Sequence, residues 1–77
     1  KALEALKVHP RDDAENVAAM ARAQRIYEGH LGEARDFVGR WILEFEGALD
    51  KQDPRIIADV RSHMIAALDE VEAHSPL

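Results

Sequence analysis

The sequence predicts an all-α fold, a small antiparallel helical bundle of two or three main helices. The 77 residues allow one domain, the chain contains only four glycines and three prolines, and apolar residues recur at steps of three and four over most of its length. Because the chain has no cysteine, neither a disulfide nor a thiolate metal site can stabilise so small a core. We therefore treat residues 1–77 as a single helical domain.

The first ten residues are predicted to be a linker or a short helix. Leu3 and Leu6 share one helical face. Pro10 ends any helix that begins there, because the residue before a proline is disfavoured in helical geometry. The chain starts at Lys1 with no methionine, and we expect it to be part of a longer protein.

Residues 12–50 carry the pattern of a long helix that Asp12 or Asp13 can cap. Gly29 and Gly32 each cost about 1 kcal/mol in a helix interior, which predicts a kink or a break at 29–32. Because the heptad phase continues across the glycines, one bent helix and two separate helices both remain open. The two rows of the predicted helix seam are Val17, Gln24, Leu31, Val38 and Phe45, and Met20, Tyr27, Ala34, Trp41 and Ala48.

A C-terminal helix is predicted over residues 53–73. Asp53 is its N-cap and Pro54 occupies the first helical position, where the missing amide costs nothing. The short connection before it requires an antiparallel hairpin. The main core of this hairpin is predicted to consist of Trp41, Phe45, Ile57, Val60, Met64 and Leu68.

The two predicted helices differ in length, which leaves one apolar stripe without a partner. The C-terminal helix covers only residues 32–49 or so of the long helix, at about 1.5 Å per residue. Residues 12–31 therefore either fold back as a third helix or project and bury their stripe against another surface. The candidate residues for a contact with another domain or with a second copy are Val17, Met20, Gln24, Tyr27 and Leu31.

Charge and motifs exclude several classes of function. The net charge of −5 disfavours nucleic acid, and no apolar run is long enough to cross a bilayer. The charged faces mix both signs, which disfavours a membrane surface. We find no nucleophile paired with a base, no phosphate-binding glycine loop, and no histidine preceded at three residues by an acid. We therefore expect a cytoplasmic protein that is not an enzyme, with no catalytic, cofactor-binding or metal-binding residue.

Several segments resemble the lid region of DnaK-type heat-shock chaperones. Residues 45–57 (FEGALDKQDPRII) are similar to the segment that joins the last two lid helices through a short turn. Residues 11–16 (RDDAEN) resemble the opening of the long lid helix, and residues 25–28 (RIYE) resemble its basic-aromatic-acidic segment. Residues 7–11 (KVHPR) resemble the junction between β-domain and lid in the HscC branch. The resemblance covers most of residues 7–72.

The resemblance implies that the chain is the C-terminal helical lid of a stress-response chaperone. Such a lid closes over a hydrophobic peptide held by the β-sandwich of the same protein and slows its release, while ATP binds a separate N-terminal domain. Unfolded polypeptide clients are then indirect partners. The chain departs from the family in being shorter, and in lacking the usual acidic latch residue near Ala23 and Gln24. The alternative is a helical dimerisation or adaptor module with no chaperone role, in which the stripe packs against its own copy.

Overall fold

The computed structural model describes residues 9–74 of the chain as a bundle of three helices preceded by one 3₁₀ turn. The turn spans Pro10–Asp12, α1 spans Ala14–Gly29, α2 spans Gly32–Lys51 and α3 spans Pro54–Ala73. There is no strand in this part of the chain, so the all-α prediction is confirmed. The prediction of a linker or short helix over residues 1–10 falls mostly on residues outside those described.

Two predicted caps begin their helices as the sequence indicates. The Asp13 carboxylate accepts a hydrogen bond from the amide of Glu15 at 3.0 Å and starts α1. The Asp53 carboxylate accepts one from the amide of Arg55 at 3.0 Å, with Pro54 as the first residue of α3. These bonds satisfy amides that have no acceptor within their own helix.

The connection between α1 and α2 decides between the bent helix and the separate helices. His30 and Leu31 are both extended, with φ of −126° and −130°, and Gly32 has φ +68°. No continuous helix can pass through two extended residues followed by a left-handed one. The alternative of one continuous helix over 12–50 is therefore excluded, the chain breaks within the predicted 29–32, and α1 folds back along α2 as the third helix.

The core is centred on the contact of α2 with α3. Phe45, Met64, Leu68 and Val38 are its largest fully buried side chains. Of the six residues predicted for the hairpin core, Phe45, Ile57, Met64 and Leu68 are buried. Trp41 and Val60 are only partly buried and pack against the edge of this core. This placement of Trp41 and Val60 corrects the prediction. A core of two helices would have needed both side chains, but α1 supplies apolar residues to the core in their place.

The face that α1 buries differs from the predicted seam. Its buried residues are Asn16, Ala19, Ala23 and Ile26, whereas Val17 is 48% exposed and Gln24 and Leu31 are exposed. The seam is wrong at Val17, Gln24 and Leu31, whereas Met20 and Tyr27 do pack against the core. The break at His30 and Leu31 resets the helical phase between α1 and α2. Small alanines on the inner face let α1 approach its neighbours closely.

Polar contacts join α1 to α3. The Asn16 amide donates to the carbonyl of Pro10 at 3.0 Å and accepts from the Arg61 guanidinium at 2.6 Å, so this buried side chain is satisfied on both sides. Arg22 donates to Asp69 at 2.6 Å and also to Glu72. The hydrogen bonds that Arg22 donates to these two carboxylates, first of all to Glu72, raise the pKa of Arg22 further above its ordinary value. Arg22 therefore stays charged at physiological pH.

The core assignment predicts a large loss of stability for Phe45→Ala. Truncating this fully buried ring is expected to lower the free energy of unfolding by about 3–5 kcal/mol. Leu43→Ala is the matched control two residues away, because Leu43 is 69% exposed, and it should change stability by less than about 0.5 kcal/mol. Urea denaturation at one low protein concentration measures both, and equal losses would contradict the assignment.

The geometry of the break predicts opposite effects for two glycine substitutions. Gly32→Ala forces a Cβ into the left-handed region and should cost about 1–2 kcal/mol. Gly29→Ala adds a Cβ that meets no atom within 4 Å and should stabilise the protein by about 0.4–1 kcal/mol, because it lowers the entropy of the unfolded chain. Thermal unfolding compares the two variants with the parent, and stabilisation by Gly32→Ala would show that the reversal is misplaced.

Candidate functional site

An open groove runs between α1 and α2, and none of its lining residues comes from α3. It consists of two adjoining hollows of about 500 and 560 Å³ that share Gln24. We call this feature the α1–α2 groove. Its walls and ends are formed by Arg11, Asn16, Val17, Met20, Ala21, Gln24 and Tyr27 on one side, and by Asp36, Gly39, Arg40, Ile42, Leu43, Glu46, Leu49 and Asp50 on the other.

Charges lie at the two ends of the groove and apolar side chains lie between them. At one end the Arg11 guanidinium bonds the Asp50 carboxylate, with both side chains more than half exposed, and Glu46 is nearby. Asp36 and Arg40 are at the other end. Exposed ion pairs of this kind add little to stability.

Tyr27 forms part of the α1 wall in a well-defined position. The Arg35 guanidinium lies over its ring, 4.4 Å from the centroid, which is a cation–π geometry. Gly39 lies beside the ring, and a Cβ there would be 3.0 Å from a ring carbon. The absence of a side chain at Gly39 is therefore what allows the ring to rest on α2.

The structure brings four of the five sequence-predicted contact residues together. Val17, Met20, Gln24 and Tyr27 all line the α1–α2 groove. Met20 and Tyr27 also pack against the core, while Val17 and Gln24 are exposed. Leu31 is separate: it is the N-cap of α2, lies in the reversal, and is 80% exposed.

Sequence reasoning missed the α2 wall of the groove. Leu43 is 69% exposed although it lies in the middle of an otherwise well-packed helix, and Glu46 and Gly39 flank it on the groove side. The available signal was the spacing of α2 itself, since residues three and four positions from Leu43 share its face.

Three of the four histidines lie in or at the end of a helix and place Nδ1 near a backbone carbonyl one turn back. Nδ1 of His30 is 2.8 Å from the carbonyl oxygen of Ile26, and His63 and His74 make the equivalent contact one turn back at 2.8 and 2.9 Å. Within residues 9–74, no three His, Asp or Glu side chains are grouped closely enough to hold a metal ion.

Chemically, the α1–α2 groove offers apolar surface between charged ends, which suits the side chains of another polypeptide.

The chain has no match among family models or among solved structures. Among the described helices, none is long and apolar enough to cross a bilayer.

The local hydrogen bonds of the histidines predict that the protein does not bind zinc or iron tightly. Calorimetric titration with either ion should give no stoichiometric heat, because single exposed histidines do not form the closed ligand sets that these metals require. His30→Ala is the control and should titrate like the parent. Tight binding that is lost in His30→Ala would contradict this expectation.

Proposed function

We propose that the chain is the C-terminal lid subdomain of a DnaK-type molecular chaperone, acting in the cytoplasm and having no catalytic activity of its own. The observation that carries the proposal is the apolar α1–α2 groove on a bundle that already has a complete core. A helical module of this kind has surface available for contact with another domain. Because several segments of the sequence resemble a DnaK-type lid, we infer that this other domain is a peptide-binding β-domain in the same protein.

In this role the module covers a hydrophobic peptide in the β-domain and slows its release. Val17, Met20, Gln24 and Tyr27 are the proposed contacts with the β-domain, together with Leu31 at the reversal. ATP would bind a separate domain, so no cofactor is assigned to this chain. Unfolded polypeptides would be partners only through the domain that the lid covers, and neither nucleic acid nor membrane is assigned as a partner.

The missing latch acid has a structural counterpart. Neither Ala23 nor Gln24 carries a carboxylate that could bond to the β-domain. Ala23 is also fully buried in the bundle, whereas Gln24 is exposed in the groove. Closure of this lid would then depend on apolar contact along the groove. Such contact is less sensitive to salt than an ionic latch.

A second candidate function is a helical dimerisation or adaptor module with no chaperone role. The exposure of Val17 and Leu43 beside the same groove supports it, because a self-associating helical protein also requires an accessible apolar face. The two candidate functions differ in one measurable property: only a lid slows the release of peptide from a peptide-binding domain to which the chain is attached.

Peptide release from a DnaK-type β-domain with and without the attached chain tests the lid function. Release of a fluorescent hydrophobic peptide, followed by anisotropy, should be about tenfold slower with the chain attached, since differences in affinity arise mainly in the dissociation rate. Val17→Asp, in the groove, should restore fast release. Ile56→Asp is the matched control, because Ile56 is 40% exposed on α3, and it should leave release slow. Identical release with and without the chain would refute the lid function.

A further inference from the structure

The outer face of α2 is nearly symmetric in sequence about Leu43. Residues three, four and seven positions from Leu43 lie within about 120° of arc on an α-helix. In chain order this face reads Asp, Gly, Arg, Leu, Glu, Gly, Asp, and in reverse order only the arginine and the glutamate change places. The residues are Asp36, Gly39, Arg40, Leu43, Glu46, Gly47 and Asp50.

We propose that this face and the adjoining α1–α2 groove bind a second copy of the chain. The two α2 helices run antiparallel, and a two-fold axis passes between their Leu43 side chains. In such an interface each residue that precedes Leu43 faces the residue the same number of positions after it in the second copy. The inference is independent of the chaperone role.

Charge complementarity supports this occupant. Arg40 and Glu46 each lie three residues from Leu43, so Arg40 of one copy faces Glu46 of the other, and the pair occurs twice. Within residues 9–74 neither side chain has an ion-pair partner in the single chain. Complementary pairs across an interface determine its register and orientation. A parallel arrangement of the two helices would lose both pairs.

The two aspartates at the ends of the face do not oppose this arrangement. Asp36 of one copy approaches Asp50 of the other, and Asp50 already bonds the Arg11 guanidinium. Arg11 has further donors, so one arginine can serve both carboxylates. Each end of the interface then carries one cation between two anions.

The apolar part of the interface lies at its centre. Leu43 is 69% exposed at the centre, and Val17, which is 48% exposed, lies in the hollow toward Asp50. The two-fold axis directs Leu43 of each copy toward the groove of the other. The axis also places Gly39 of one copy opposite Gly47 of the other. The Tyr27 ring rests on Gly39, whereas a Cβ at Gly47 would meet no atom within 4 Å. The ring of one copy thus faces open space on the other.

Sedimentation equilibrium of the 77-residue chain tests the interface. The parent should form dimers with a dissociation constant of about 100 μM or tighter, in the range of small interfaces. Leu43→Glu should weaken dimerisation about tenfold or more. Ile56→Glu, an exposed apolar residue on α3, is the control and should dimerise like the parent. Circular dichroism should find all three proteins equally helical.

Charge exchange tests the antiparallel register. Arg40→Glu and Glu46→Arg should each weaken dimerisation, because each places like charges opposite one another twice. The double variant Arg40→Glu/Glu46→Arg should recover most of the affinity, since exchanging both signs preserves the symmetry. Added salt should weaken the parent dimer and strengthen the single variants relative to it.

Three outcomes would overturn the inference. The first is a parent chain that remains monomeric at about 1 mM, far above the affinity expected of this interface. The second is a dimer that Leu43→Glu leaves unchanged, which would assign dimerisation to another surface. The third is a double charge variant as weak as its single variants, which would exclude the antiparallel register.

Discussion

The reversal between α1 and α2 is the constraint on which the rest of the bundle depends. His30 and Leu31 are extended and Gly32 is left-handed, so α1 turns back along α2 instead of extending beyond it. Because of this turn, the apolar residues of α1 gain a partner within the same chain. Since α1 contributes apolar side chains to the core, fewer side chains from the α2–α3 hairpin are fully buried, and Trp41 and Val60 lie at the periphery of the core.

The orientation of α1 about its own axis creates the groove. Asn16 is buried and requires partners for both ends of its amide, which it finds in Pro10 and Arg61. Arg22 reaches the carboxylates near the end of α3. With these polar contacts in place, the alanine face of α1 is turned inward, and the larger side chains of Val17, Met20 and Tyr27 remain along the side that faces the groove.

Core and groove share the buried Leu49 and three partly buried residues, Met20, Tyr27 and Ile42, but the exposed residues of the groove are separate from the core. The fully buried side chains of Val38, Phe45, Met64 and Leu68 hold the helices together, while the exposed side chains of the groove take little part in that core. This separation allows one surface to serve a peptide-binding domain or a second copy without rearrangement of the bundle.

The helical character of the chain and the starts of α1 and α3 were determined by the sequence alone. Asp13, Asp53 and Pro54 act through hydrogen bonds and backbone geometry within one turn of the chain, so their effect can be read without knowledge of the fold. The hairpin core was largely predictable for a related reason: the short connection at Gln52 and Asp53 leaves α2 and α3 few ways to meet.

Only the tertiary structure decided how α1 is oriented and which residues it leaves accessible. The heptad phase continued across Gly29 and Gly32, and local rules did not distinguish a bend from a reversal. The face that α1 buries depends on contacts between residues far apart in sequence, such as the bond between Asn16 and Arg61, which are 45 positions apart. The groove is a product of the reversal, because Leu43 and Gln24 lie on separate helices and share a surface only after α1 has folded back.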